Sequence, residues 1–373
     1  MDNCVIPHGY KATALGIIPQ EWEVMLLGNL SNSISSGRNK HRDAHGQYPV
    51  FGSTGIIGYS STYEYEGPVI LVARVGANAG TLNFASGQYD VSDNTLIITI
   101  KQNVYDYNFA YNQLTHYKLN KLVFGSGQPL ITSKQLKNIR IPVPPLAEQR
   151  KIAEVLGVWD KAIEKQARLI EKLALRKRAL MQRLLSAKLR LPGFSGPWKE
   201  LKINKITIIR KGEQVNKDVL FSNAKYPVIN GGITPSGYLD IYNTKANTIT
   251  ISEGGNSCGY VNFMTTPFWS GGHCYTIEAK DGINNLFIYQ LLKNNEKYIM
   301  SLRVGSGLPN IQIKDLGNLK FMIPTYQEQT AIAEVLTASD REIELAKEKL
   351  ERLRRQKRGL MQQLLTGKKR VKY

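Results

Sequence analysis

The chain has 373 residues, 42% of them hydrophobic, which allows ordinary globular cores and, by length, two domains. Its formal charge of +19 points to a polyanionic partner, because each phosphate neutralised by Lys or Arg releases condensed counterions. Cys4, Cys258 and Cys274 make no disulfide framework, Met1 to Tyr10 has neither a basic start nor an apolar run, and no stretch approaches the roughly 18 apolar residues of a membrane span, so a cytoplasmic, membrane-free protein is expected.

Residues 1–145 read as short strands and loops. Pro68 to Ala73 and Thr95 to Ile100 are β-branched runs, and Gly52, Gly55, Gly58, Gly67, Gly76, Gly80 and Gly87 punctuate the segment. Pro142, Pro144 and Pro145 close it, and a helix is expected over 146–190. From Ile152 the seam steps by four and three residues through Leu156, Trp159, Ile163, Gln166, Ile170, Leu173, Lys177 and Leu180 to Leu184. That is the heptad spacing of a coiled coil.

A second β-rich segment is expected over 191–325 and a second helix over 326–373. The seam returns as Ile332, Leu336, Ser339, Ile343, Ala346, Leu350, Leu353, Lys357, Leu360 and Leu364. The chain therefore repeats itself 180 residues on. Gly125-Ser126-Gly127-Gln128-Pro129 returns as Gly305-Ser306-Gly307-Leu308-Pro309, and Glu148-Gln149 returns as Glu328-Gln329. The β-rich copies share anchors, such as Tyr48-Pro49-Val50 with Tyr226-Pro227-Val228, while the sequences between anchors diverge. One scaffold with two different reading surfaces is the expectation, since binding residues ride on loops.

A compact domain keeps its ends close together, so the two helices meet at the second domain and are expected to run antiparallel. Roughly 33 residues at 1.5 Å each make a rod of about 50 Å. The fold class expected is α+β: two β-rich domains separated by two long helices in an antiparallel coiled coil with pseudo-two-fold symmetry. Such a geometry suits two separated half-sites in opposite orientation.

At these residues the chain resembles the specificity subunit of type I restriction-modification systems. The resemblance rests on Pro144-Pro145-Leu146-Ala147-Glu148-Gln149 with Ile152-Ala153, on Pro324 to Gln329 with Ile332-Ala333, on Gly16 to Trp22, and on Leu191-Pro192-Gly193-Phe194 through Trp198. It covers the whole chain in the order target-recognition domain, helix, target-recognition domain, helix. The second copy departs from the pattern at Tyr326, and it carries Glu253-Gly254-Gly255 where the first has Arg74-Val75-Gly76. The resemblance implies a non-catalytic subunit that recognises bipartite double-stranded DNA, carries two methyltransferase subunits and joins restriction subunits.

The residues themselves carry no GxxxxGK[ST] phosphate loop and no adenine-methylation motif. Cys258, His273 and Cys274 fit no standard zinc spacing, so no metal, cofactor or catalytic group is expected. Arg38, Lys40, Arg42, Lys211 and Lys217 are candidates for phosphate contacts; His41 and His45 share the loop of the first three. Arg74, Asn78, Gln128, Gln214, Asn256, His273 and Asn310 suit base edges, since Arg pairs with guanine and Asn or Gln with adenine. Ser126 and Ser306 sit between glycines, where backbone N–H groups approach a phosphate closely. Each of these side chains reads equally as an ordinary surface or turn residue. The twelve basic residues from Arg150 to Arg190 suit a solvated face packed on a methyltransferase. Two other classes stay open: a self-contained enzyme, and a scaffold joining two ligand-binding β domains, for glycans for example.

Overall fold

The computed structural model describes residues 6–40, 43, 45–124, 129–305 and 309–373. It divides into two units, one of residues 1–166 with 349–373, the other of residues 167–348. The division falls inside each long helix, Leu146–Leu184 and Tyr326–Leu364. Each unit thus combines one β-rich domain, the opening half of the helix that follows it, and the closing half of the other helix.

In the first unit, a four-stranded antiparallel sheet has the order Ser31–Ser36, Thr95–Ile100, Val69–Ala73, Leu82–Ala85. Every residue of Val69–Ala73 is buried, because this inner strand is covered on both faces. Alternate side chains serve opposite faces of a strand. Ile70 and Val72 join a core with Trp22, Phe109 and Ile152, whereas Val69 and Leu71 join Tyr89 and Val91 on the other side. A second four-stranded sheet supplies that other side, and in it Gln88–Val91 pairs parallel to Tyr48–Gly52. Asp106 caps the helix Tyr107–Tyr117, accepting from the backbone N–H groups of Asn108 and Phe109.

The second unit repeats the plan. Its four-stranded sheet runs Thr207–Lys211, Cys274–Ala279, Thr248–Ser252, Val261–Met264, and its smaller sheet pairs Tyr226–Ile229 parallel to Trp269–Ser270. Thr248–Ser252 is again buried throughout. Asn284 caps the helix Asn285–Asn294 in place of Asp106.

The repeated Glu-Gln pair is a structural clamp. Glu148, wholly buried, accepts from Trp22 Nε1 at 3.0 Å and from Arg370 Nε and Nη2 at 2.6 and 2.9 Å. Glu328 accepts in the same way from Trp198 Nε1 at 3.2 Å and from Arg190 at 2.6 and 2.8 Å. A buried carboxylate persists only with such compensation. Gln149 accepts from the Asp106 backbone N–H and donates to the carbonyls of Pro144 and Val104, and Gln329 accepts from Asn284 and donates to Pro324. These bonds fasten each long helix to the domain before it.

The helix segments inside each unit run antiparallel. Glu148 meets Arg370 and Asp160 meets Lys357 in the first unit; Glu328 meets Arg190 and Asp340 meets Lys177 in the second. The two lysines that interrupt the apolar seam are therefore each matched to an aspartate. Ile152 and Leu156 pack with Met361 and Leu364, and Ile332 and Leu336 with Met181 and Leu184. Both helices stop earlier than the sequence suggests, at Leu184 and Leu364 rather than at 190 and 373. Ala187 and Gly367 adopt left-handed φ values of 58° and 72°, and Leu189 and Lys369 donate back to the Arg183 and Gln363 carbonyls. This helix-ending turn sends Arg190 and Arg370 back to their glutamates.

Candidate nucleic-acid interface

The same loop leaves the buried inner strand in both units. Arg74 donates its backbone N–H to Asn94 O, and its carbonyl accepts from Ile131; Glu253 is bonded identically to His273 and Ile311. Gly76 N–H reaches Pro129 O at 3.0 Å, and Gly255 N–H reaches Pro309 O at 3.1 Å. The turn then closes through Gly80 to Ala73 O in one unit and Gly259 to Ser252 O in the other. Gly80 and Gly259 have φ of 90° and 88°, and a Cβ on either would strike backbone, at Asn120 or Met300. The exchange of Arg74-Val75-Gly76 for Glu253-Gly254-Gly255 leaves this frame intact. Across from each turn a bridged segment approaches, Phe124 pairing with Leu130 and Val304 with Asn310. The candidates Arg42, Ser126, Gln128 and Ser306, with His41, lie outside the described residues.

Side chains on the shared frame differ. Arg74 is half-buried and its Nε has no hydrogen-bond partner among the described residues; Asn78 is exposed on the turn. Arg38 and Lys40 are exposed on another segment, where the backbone N–H groups of Arg38 and Asn39 donate to Val91 O.

In the second unit the structure gathers Lys211, His273 and Asn310 around a residue that the sequence did not single out as a contact. Glu253 Oε1 accepts from Lys211 Nζ at 2.6 Å and from the Tyr275 hydroxyl at 3.0 Å. Its Oε2 is buried and lies 3.4 Å from His273 Nδ1, longer than a well-made hydrogen bond. Burial raises the Glu253 pKa, but the bonds from Lys211 and Tyr275, the Lys211 charge and the nearby His273 outweigh it, and the net shift is downward. The Lys211 ammonium is tied to this carboxylate, which leaves two N–H donors to aim elsewhere. Lys211, Glu253, Tyr275 and Asn310 line a cavity of about 330 Å³. Asn256 is exposed on the adjoining turn, Gln214 lies over Gly272, and Lys217 is exposed in the short helical turn Lys217–Val219. The signal that could have found Glu253 was its place opposite Arg74 in the repeat.

Cys258 Sγ donates to the Glu253 carbonyl at 3.1 Å, and Cys274 is buried, its thiol pKa pushed up to about 11 by burial. Among the described residues, no group of His, Cys, Asp and Glu is placed to hold a metal, and no helix is long and apolar enough to cross a membrane.

Comparison with known proteins places this geometry. The chain is 25% identical over 406 residues to the type I restriction enzyme MjaVIII specificity subunit of Methanocaldococcus jannaschii, covering 95% of this chain and 94% of that one. A putative type I specificity subunit of Mycoplasma pneumoniae, S.MpnORF638P, is 35% identical over 157 residues, but this match spans only 41% of the chain and 42% of the relative. Among solved structures, the type I restriction-modification S subunit of M. genitalium matches in fold, with a TM-score of 0.68 and 21% identity over 92% of this chain and 96% of that one. A chain from a structure of type I system assembly and conformational transition matches with a TM-score of 0.57 and 18% identity, covering 94% and 99%. The family described as the type I restriction modification DNA specificity domain matches twice, at residues 19–174 and 196–355, and the chain belongs to that family.

Proposed function

We propose that the chain is the DNA-recognition subunit of a type I restriction-modification complex, in which each β-rich domain reads one half of a bipartite double-stranded site. The domains are residues 1–145 and 191–325. The segments 146–190 and 326–373 set the distance between half-sites and dock two methyltransferase subunits, with restriction subunits joining the assembly. The chain performs no chemistry of its own. One observation carries the reading: a single loop frame, bonded residue for residue alike, occurs twice with different side chains on it. Proteins that read sequence keep the scaffold and vary what faces the base edges. The charge of +19 supplies the sequence-independent attraction to phosphate. Within this reading Arg38, Lys40, Arg42 and Lys217, with the backbone at Ser126 and Ser306, hold phosphates, while Lys211, its ammonium tied to Glu253, turns its remaining donors to the second half-site. Arg74, Asn78 and Gln128 face the first half-site; Gln214, Asn256, His273 and Asn310 face the second.

The test is methylome sequencing of cells that express the chain with its methyltransferase subunit. An interrupted two-part motif is expected, and purified chain alone should transfer no methyl group. A continuous motif, or methylation by the chain alone, refutes the proposal.

A further inference from the structure

We propose that Glu253 is the positioning residue of the second unit's recognition surface, an inference that rests on the DNA-reading role proposed above. Its buried carboxylate holds the Lys211 ammonium, so that the lysine meets DNA in a fixed geometry beside the His273 ring, at the place where the first unit carries Arg74.

The argument starts from equivalence. Residues 74 and 253 leave the two scaffolds at the same point, with backbone N–H and carbonyl bonded to matching partners. The charge there is reversed, and so are the surroundings. Around Glu253 stand Lys211, Tyr275 and His273. The strand registers put Ser36 and Leu96 in the first unit where Lys211 and Tyr275 pair in the second, and Asn94 takes the place of His273. None of these three bears charge. Arg74 accordingly meets no charge at these positions; its Nε is buried with no hydrogen-bond partner among the described residues, so contact with a guanine edge falls to its terminal nitrogens.

Glu253 has the opposite character. It is 9% exposed, its Oε1 is already bonded twice, and its Oε2 is shut from solvent, so the carboxylate does not itself reach a base. Its partners do reach outward: the side chains of Lys211 and His273 are 53% and 62% exposed. An exposed lysine alone loses much rotamer freedom on binding. Anchoring through a buried carboxylate removes that freedom beforehand, which is how pre-organisation raises affinity. The first unit therefore reads with one long guanidinium, and the second with a lysine braced from beneath and a histidine beside it.

The experiment uses the full-length chain in its complex and DNA duplexes in which each half-site is scrambled in turn. Glu253→Gln keeps an acceptor for Tyr275 and Lys211 but removes the charge that pins the ammonium. Discrimination at the second half-site should fall about tenfold, the order of one base contact, with the first half-site unmoved. Lys211→Met should give a similar loss, and the double variant should lose no more than the larger single one, because both break the same device. Arg74→Met should show the reverse pattern. Equal loss at both half-sites, or unchanged discrimination in Glu253→Gln, overturns the inference. Should Glu253→Gln fail to fold, Lys211→Met decides, since its exposed side chain leaves the core intact; unchanged second-half discrimination there also overturns it. A wild-type complex with no bipartite motif removes the DNA-reading role and this inference together, whereas a bipartite motif with unmoved variants removes the inference alone.

Discussion

Arg370→Met should destabilise the first unit selectively. Glu148 is wholly buried and takes three hydrogen bonds, two of them from Arg370. Those bonds hold the guanidinium protonated even more firmly than usual. Removing it leaves a buried carboxylate with the Trp22 N–H alone. Stranding one member of a fully buried pair costs about 3–5 kcal/mol. Arg370 is about a third exposed, and water entering beside a methionine lowers the figure to about 3 kcal/mol. For a unit of this size, about 2–4 °C per kcal/mol gives a fall of about 6–12 °C in its melting temperature. Calorimetry of the full chain should show the first unit melting ahead of the second, and Arg190→Met should invert the order through Glu328. Glu148→Gln combined with Arg370→Met removes both charges, keeps an acceptor for Trp22, and should restore most of the loss. A single variant melting at the wild-type temperature, or a double variant no better than the single, would refute the clamp.

The helix-ending turns give a paired test. Ala187→Gly relieves a left-handed alanine and should stabilise the second unit by about 0.5–1 kcal/mol, whereas Gly367→Ala puts a Cβ 2.3 Å from Pro19 Cδ and should destabilise the first; urea midpoints compare them. A matched heptad inserted in both long helices adds about 10 Å, so the spacer in the methylation motif should grow by about three base pairs with both half-sites unchanged. Arg74→Gln or Asn78→Ala should alter only the first half-site, by about 1–3 kcal/mol, while Lys40→Ala or Lys217→Ala should weaken all sequences alike and flatten the salt slope of binding. The folded-state pKa of Cys274 is raised to about 11, so the thiol favours the neutral form; its contribution to stability is present below the unfolded value and is lost as pH rises from about 9 to 11. A thiolate-selective reagent at pH 9.5 should label this thiol in unfolded chain but not in native chain.

What the sequence determined by itself was whatever repeats or alternates locally. The inner strands announced themselves through Pro68 to Ala73 and Thr95 to Ile100, since a strand buried on both faces is written as an unbroken β-branched apolar run. The long helices were legible from the heptad seam, and the duplication from motifs 180 residues apart. The paired Lys177 and Lys357 stood out as interruptions, but their aspartates did not. Tertiary structure alone decided which distant side chains meet. Glu148 and Arg370 are separated by 222 positions, and no local pattern couples a helix start to a chain end. The Glu-Gln motif therefore read as a family mark, when its physical meaning is a buried carboxylate that needs a tryptophan and an arginine from elsewhere. Glu253 was visible only as a departure from Arg74. Its role as the centre of Lys211, Tyr275 and His273 arises because three strand ends converge there. Electrostatic partnership falls off with distance in space rather than along the chain, so only the folded molecule could assign it.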